Sequence, residues 1–448
     1  MARIPFDFTR IMEKQKELLA VAASEAENKL DYDAAHNEEV LLAVEVVEKF
    51  LRDKGRVCYG GQAINAHLPQ KYKFYDPETT IPDYDFFTPN GKADLELLVQ
   101  MFKSEGFTEI GVRPGIHEGT TKVYVNYIAV ADCTEINPLF YKMIAGKSIK
   151  QQGISYMDPD TLRMMMYLEL SRPRGEVTRW EKVFERLMLL NTYAPIRNCA
   201  KSMKGRLQKP PIIPADMREK FIQHIVTERR VMCGADVVEF YKRRLHGKGQ
   251  QLGWLLSGRA PVLFYSPDPT ADIKAIYGKF KADLSFKKYA AEAEFFPPVY
   301  LGFLNESDGP VLAIIQETAC HAYNTVTLND GRRLHIASFD TLITLYLSLM
   351  FRKTLQALFA KPILCLADQL IHLQIAYRKS THAPFPFISI ECSGHQKTFQ
   401  SLLREKVQRI KGIKSRKSSK GSKSKAKAKS KTKTKSNRGL TRKTKRSH

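Results

Sequence analysis

Apolar residues recur at helical spacing over residues 8–30 and again over 36–54, where Val40, Leu41, Val44, Val47, Phe50 and Leu51 fall every three or four positions. This predicts two amphipathic helices, an amino-terminal helical region over 1–54 that caps the domain beginning at residue 55. RVCY (56–59) then predicts a short strand, Gly60-Gly61 a turn, and 61–68 a short helix. DYDFFT (83–88) alternates as a strand does, 92–105 reads as a helix, and strands are predicted at 107–112 and 120–133.

After Asn137-Pro138 the pattern turns helical, in DPDTLRMMMYLELSRP and RWEKVFERLMLLNTYAP, with Asp158-Pro159 and Pro173 as punctuation. The Met triplet reads as core filling. KSMKGRLQKPPIIP (201–214) mixes bases and prolines without periodicity and marks a domain boundary. Beyond it the pattern predicts helices near 215–245, a strand at 261–266, a helix over 270–282, strands near 298–304 and 310–328, and apolar helices from 339 to 377. This order loosely echoes residues 56–190. The architecture expected is α+β, with one domain over 55–200, which the resemblance given below implies is catalytic, a second domain over 215–390 and no short-period repeat.

Charge changes the picture at one end. The chain carries a formal +24, and residues 411–448 hold 17 Lys and Arg with no acid, leaving +7 for the rest. With Ser, Thr, Ala and Gly between the bases, this tail has no apolar face and is expected to be disordered. It would contact nucleic acid by phosphate neutralisation, or serve solubility or nuclear import. Seven Cys, an odd number with no C-x-x-C pair, argue against a disulfide framework and a zinc knuckle, and point to a reducing compartment. No apolar run is long enough to span a bilayer and the start lacks an export signal, so neither membrane insertion nor export is expected.

Three acids carry the candidate chemistry. In a strand, Asp83 and Asp85 would share one face, about 7 Å apart at their Cα atoms. Two like charges so placed repel unless a cation neutralises them, and carboxylates suit Mg²⁺. Alone, such a pair is as readily an edge strand wearing acids. Gly60-Gly61 before a helix offers backbone N–H groups with no Cβ in the way, fitted to a polyphosphate, although a glycine pair alone is a turn. Asp132 sits between Ala131 and Cys133 in YVNYIAVADCTEIN, where an unpaired buried charge would be costly. Other signals are bland: Cys320-His321 lacks metal-ligand partners, GKGQQLGW (247–254) is no phosphate loop, and His372 on an apolar helix reads as packed.

Together, Tyr59-Gly60-Gly61, Asp83-Tyr84-Asp85-Phe86 and Ala131-Asp132-Cys133 resemble the nucleotidyltransferase fold of the DNA polymerase beta superfamily. YGGQAINAHL, PDYDFF and YLELSRPRGEVTRWEKVFERLMLLN look like the poly(A) polymerase catalytic subunits of large cytoplasmic DNA viruses (poxvirus, asfarvirus and giant-virus type), most strongly over 55–200. Gly61 to Asp83 spans 22 positions against about ten in most of the superfamily, so PQKYKFYDPETTIP is an insert, either a substrate-contacting loop or a solvated excursion.

The resemblance implies template-independent addition of AMP from ATP to mRNA 3′ ends. Two Mg²⁺ (or Mn²⁺) ions would be held by Asp83, Asp85 and Asp132, with the nucleotide at Gly60, Gly61 and Gln62. It also implies a second, degenerate nucleotidyltransferase-like domain without carboxylates. Lys142, Lys147, Arg172, Arg174, Arg179 and Lys182 are candidates for the triphosphate. Expected partners are the RNA 3′ end, ATP, and a processivity subunit or a second copy in a homodimer, in the host cytoplasm (viral factory) and the virion. The rival readings are a terminal transferase for another nucleotide and a catalytically inactive RNA-binding scaffold.

Overall fold

The computed structural model describes residues 8–75, 79–197, 199, 211–245, 260–280, 284–290, 296–304, 309–328, 330–352, 355, 358–359, 362–380 and 385–412. The GKGQQLGW stretch, most of the 201–214 boundary and the tail from 413 lie outside these residues. Residues 411 and 412, counted with the tail from sequence, close a helix over 399–412.

Two helices open the chain, α1 (Phe8–Ala35) and α2 (Glu38–Lys54). Asn37 caps α2 by accepting from the Glu39 and Val40 amides, and Gly55 ends it at φ 58°, where a Cβ would be strained. Seven apolar residues of α2 are buried, Phe50 and Leu51 completely. The expectation that both helices cap the domain holds for α2 alone. Along α1, Leu18, Leu19 and Leu30 are 60–70% exposed, because its apolar positions are too sparse to form one continuous face.

The first sheet contains β1 (Val57–Tyr59), β2 (Tyr84–Thr88), β3 (Ile110–Pro114), β4 (Thr120–Val125), β5 (Ile128–Glu135), β6 (Ile149–Gln151) and β7 (Ile154–Tyr156). Helices α3 (Gly60–Ala66), α4 (Gly91–Ser104), α5 (Pro138–Ala145), α6 (Pro159–Leu170) and α7 (Trp180–Tyr193) lie between these strands or after the last of them. Its strand order is β3-β4-β5-β2-β1-β7-β6. Three sequence expectations need correction. The strand at 120–133 is two, folded back at Asn126-Tyr127, both at positive φ (47° and 66°), a two-residue turn whose twist suits a hairpin. Residues 149–156 form a second hairpin, turning at Gln152-Gly153 (φ 50° and 80°), in a stretch read as helical because its strands are three residues long. Asp83 precedes β2 instead of lying in it.

The second sheet contains β8 (Val231–Cys233), β9 (Val262–Ser266), β10 (Leu284–Tyr289), β11 (Val299–Leu304), β12 (Pro310–Gln316), β13 (His321–Thr327), β14 (Arg333–Ala337) and β15 (Cys392–Ser393). Its helices are α8 (Ala215–Thr227), α9 (Ala235–Leu245), α10 (Pro269–Phe280), α11 (Phe339–Leu349) and α12 (Ile363–Lys379). Its order, β10-β11-β12-β9-β8-β14-β13-β15, repeats the first sheet strand for strand, with β15 added at the edge. Pair directions match as well: β1–β2 and β8–β9 run antiparallel, β2–β5 and β9–β12 parallel, β1–β7 and β8–β14 parallel. The helix at the end of each copy, α6 and α11, packs on the other, and one apolar core runs from α6 through the second sheet to α12. Met164 and Met166 are buried in it, as core filling requires. His372 is not packed: it faces solvent, its Nε2 3.7 Å from Asp368 one turn back. No described helix is long and apolar enough to cross a membrane.

The cysteine expectation is also overturned. Cys199 pairs with Cys365 and Cys320 with Cys392, with Cα separations of 5.0 and 5.3 Å, inside the range a disulfide bridges. The partners are 166 and 72 residues apart, so local spacing carries no trace of them. Thiol titration of the denatured, unreduced protein should find three thiols, Cys58, Cys133 and Cys233, and not seven. Replacing Cys320 and Cys392 by Ser should cost about 2–4 kcal/mol in urea unfolding.

His321 supplies a pH prediction. It stacks on Tyr265 with 4.3 Å between ring centroids, and burial, then the nearby Arg172, pushes its pKa down to about 3. In the unfolded chain it titrates near 6.5, so its contribution to stability is fully present above about pH 6.5 and is lost as pH falls toward 3. Between pH 7 and 4.5 the wild type should lose about 2 kcal/mol more than His321→Gln, read from paired urea titrations.

Candidate active site

The register of four strands builds the site. Tyr59, the last residue of β1, pairs with Asp85 on β2; Asp85 pairs with Asp132 on β5; and Asp132 pairs with Lys122 on β4. Asp83 sits two residues before Asp85 at the rim. Gly60 turns the chain out of β1 at φ 69°, and a Cβ there would lie 2.2 Å from Asp85 Oδ2, so the carboxylate rests directly against the glycine backbone. The Tyr59 ring stacks on Phe87 at 4.0 Å and its hydroxyl pairs with Thr134 Oγ1 at 2.9 Å, which fixes the strand end beneath the turn.

Asp85 is pushed up to about 7 by burial first, then by Asp83 and Asp132, against the pull of Lys122 and Arg179. Asp83 is raised by burial and by Asp132, while Lys122 and Lys182 work the other way. Asp132 is buried, its Oδ2 accepts from Lys122 Nζ at 2.5 Å, and its Oδ1 has no partner. Partial burial disfavours the Lys122 ammonium, but Asp132 outweighs this and holds its pKa above the usual value. Among the described residues no three His, Cys, Asp or Glu side chains close around one point. The three carboxylates nevertheless fit a divalent cation: they are hard oxygen donors, burial and neighbouring acids oppose ionisation of Asp83 and Asp85, and Asp132 keeps an orphaned buried oxygen.

Lys122 was not singled out from sequence. Its only signal is its place opposite Asp132, and that depends on the turn at Asn126-Tyr127. Of the six basic candidates, Arg179 and Lys182 are near enough to favour the ionised forms of Asp85 and Asp83, and Arg179 also pairs with Glu169 at 3.3 Å and Glu176 at 3.8 Å. Arg172 is instead half-buried near Tyr265, its pKa lowered to about 10 by desolvation. Lys147 lies over the Phe351 ring at 4.4 Å, and Lys142 and Arg174 are exposed. Gly61 is buried: a Cβ there would meet the Tyr75 ring at 2.5 Å and Arg186 Nη1 at 3.0 Å. Gln62 is half-buried in the first turn of α3.

The second sheet shows what the same register looks like without charge. Cys233 pairs with Leu263 as Tyr59 does with Asp85, and Gly234 (φ 100°) stands against Leu263 as Gly60 does against Asp85. Leu263 pairs with Ala313, and Ala313 with Leu301. Leu263, Ala313 and Leu301 thus take the places of Asp85, Asp132 and Lys122, and all three are buried.

The first sheet, with its glycine turn and carboxylates, has the architecture of a nucleotidyltransferase-type domain. Residues 45–176 match the model of the family described as poly(A) polymerase catalytic subunit, which bears out the resemblance read from sequence. A protein of African swine fever virus (strain Badajoz 1971 Vero-adapted), provisionally named a poly(A) polymerase catalytic subunit, is 30% identical over 168 residues, 36% of this chain and 35% of its own length. An Acanthamoeba polyphaga mimivirus protein of the same name is 28% identical over 303 residues, 61% of this chain and 50% of its own. The chain therefore spans about a third to a half of the length of these relatives. The crystal structure of the Megavirus polyadenylate synthase superposes with a TM-score of 0.67 at 17% identity, covering 93% of this chain and 85% of that one, a likeness of fold.

Proposed function

We propose that this chain adds AMP from ATP to RNA 3′ ends without a template. The observation that supports this best is the register bringing Asp85 between Asp132 and the Gly60 backbone, with Asp83 at the rim. Asp83, Asp85 and Asp132 would hold two Mg²⁺ or Mn²⁺ ions, which when bound supply charge neutralisation at the attacking 3′-hydroxyl and at the leaving pyrophosphate. Lys122 balances Asp132 and must release its Oδ2 for a ligand role. Gly60, Gly61 and Gln62 present the turn that the phosphates approach. Arg179 and Lys182, across from the carboxylates, neutralise the triphosphate. The apolar residues at the corresponding places of the second sheet leave it no such chemistry.

The same reading gives the chain RNA and ATP as substrates, a processivity subunit or a second copy as assembly partner, and the viral factory in the host cytoplasm and the virion as its sites. The test is incubation with short RNA, Mg²⁺ or Mn²⁺, and each nucleoside triphosphate in turn. Extension with ATP, absent without divalent metal, is the expected result. UTP preference, or equal use of all four, would replace it with another terminal transferase.

A further inference from the structure

Three basic residues succeed one another at helical spacing along α7. Arg179 precedes the helix and acts on Asp85, Lys182 acts on Asp83, and Arg186 Nη1 stands 3.0 Å from where a Cβ on Gly61 would lie. Spacings of three and four keep them on one face. Seven residues beyond Arg186 the row ends at Tyr193, stacked on Tyr72 of the insert with 4.1 Å between centroids and 24° between planes. From Arg179 to Tyr193 the helix rises roughly 21 Å.

The insert is held onto this face by other groups. Asn65 donates to the Tyr75 carbonyl at 3.0 Å and accepts from the Phe74 amide at 2.9 Å. The Arg186 guanidinium lies 4.4 Å from the Phe74 centroid and donates to the Tyr75 hydroxyl at 2.9 Å. Phe74 and Tyr75 therefore anchor the loop, yet Tyr72 stays 37% exposed, with Lys71 beside its ring at 5.4 Å and Lys73 one residue on. An aromatic pair flanked by lysines at the open end of a cationic row, whose other end meets the catalytic acids, is the chemistry that takes single-stranded nucleic acid.

We propose that Tyr72 and Tyr193 form a stacking seat for a nucleobase of the RNA strand whose 3′ end lies at the carboxylates, with Arg186, Lys71 and Lys73 neutralising its phosphates. The inference rests on the function proposed above. The strand is favoured over the incoming nucleotide because a nucleotide with its phosphates at Arg179 and Lys182 does not reach the far end of α7.

The test is anisotropy of a labelled 15-nucleotide oligo(A) RNA with the full chain and no ATP, beside binding of a fluorescent ATP analogue with Mn²⁺. Tyr72→Leu and Tyr193→Leu, which keep apolar bulk but remove the π face, should each weaken RNA binding about tenfold or more with an unchanged salt slope. Tyr72→Trp should bind RNA as the wild type does, and ATP affinity should stay within about twofold in all three, judged against the stacking range for one base. Lys71→Gln with Lys73→Gln should flatten the slope of log affinity against log salt by about 1.4. Leu variants with wild-type melting and wild-type RNA affinity would overturn the seat and reduce the pair to a loop anchor. A loss confined to ATP would overturn it in favour of the incoming nucleotide. A wild-type chain that binds RNA through the seat but adds no AMP would remove the proposed activity and leave the seat; one that binds no RNA would remove both.

Discussion

Asp85→Asn is expected to lower AMP addition by about 10³-fold or more, since losing a metal ligand forfeits several kcal/mol of transition-state charge stabilisation and each 1.36 kcal/mol is tenfold in rate. The fold should survive and improve. Asp85 is opposed by burial, Asp83 and Asp132 together, so the neutral amide should raise the melting temperature of the metal-free protein at pH 8. Mn²⁺ should raise the melting temperature of the wild type and leave the variant nearly unmoved, by differential scanning calorimetry. Wild-type rates in the variant at saturating metal would show that the carboxylate does not hold the ion.

Gly60→Ala is expected to slow the reaction without removing any ligand. The new methyl would sit 2.2 Å from Asp85 Oδ2, and φ 69° is a conformation that costs a residue with a Cβ about 1–2 kcal/mol. Either the turn or the carboxylate must shift, and a displacement near 1 Å costs about 10²-fold in rate. Single-turnover AMP addition and urea unfolding should both fall, by about 10²-fold and about 1–3 kcal/mol. Gly55→Ala, which meets no atom within 4 Å at a similar φ, should show the stability loss without the rate loss and so separates the two effects.

The carboxylates, the glycine turn and the echo between the two halves were legible because each leaves a local mark: alternation for a strand, a bare backbone at a turn, a repeated order of elements. What was not legible depends on contacts between distant segments. Lys122 is a lysine in a polar hairpin until the strand register places it on Asp132. Arg179 and Lys182 stood among six candidates with nothing to separate them until the fold brought the start of α7 within electrostatic reach of Asp83 and Asp85. The 149–156 hairpin is too short for periodicity to register, yet β7 pairs directly with β1. His372 misled because its helix is apolar overall, and one position decides which way a side chain faces.

Two sheets of the same strand order in one chain have a consequence for how the protein reaches its native state. Tandem copies of one topology invite strands of one copy to seat in the other, a common route to kinetic traps. β9 is buried along its whole length, Val262 to Ser266, and an intruding β2 would carry Asp85 into that apolar layer unpaired. β9 seated in place of β2 would strand Asp132 and Lys122 against leucine. The charges that would equip one copy for the proposed chemistry therefore also act as an address, penalising the exchanged assembly and steering each strand to its own sheet.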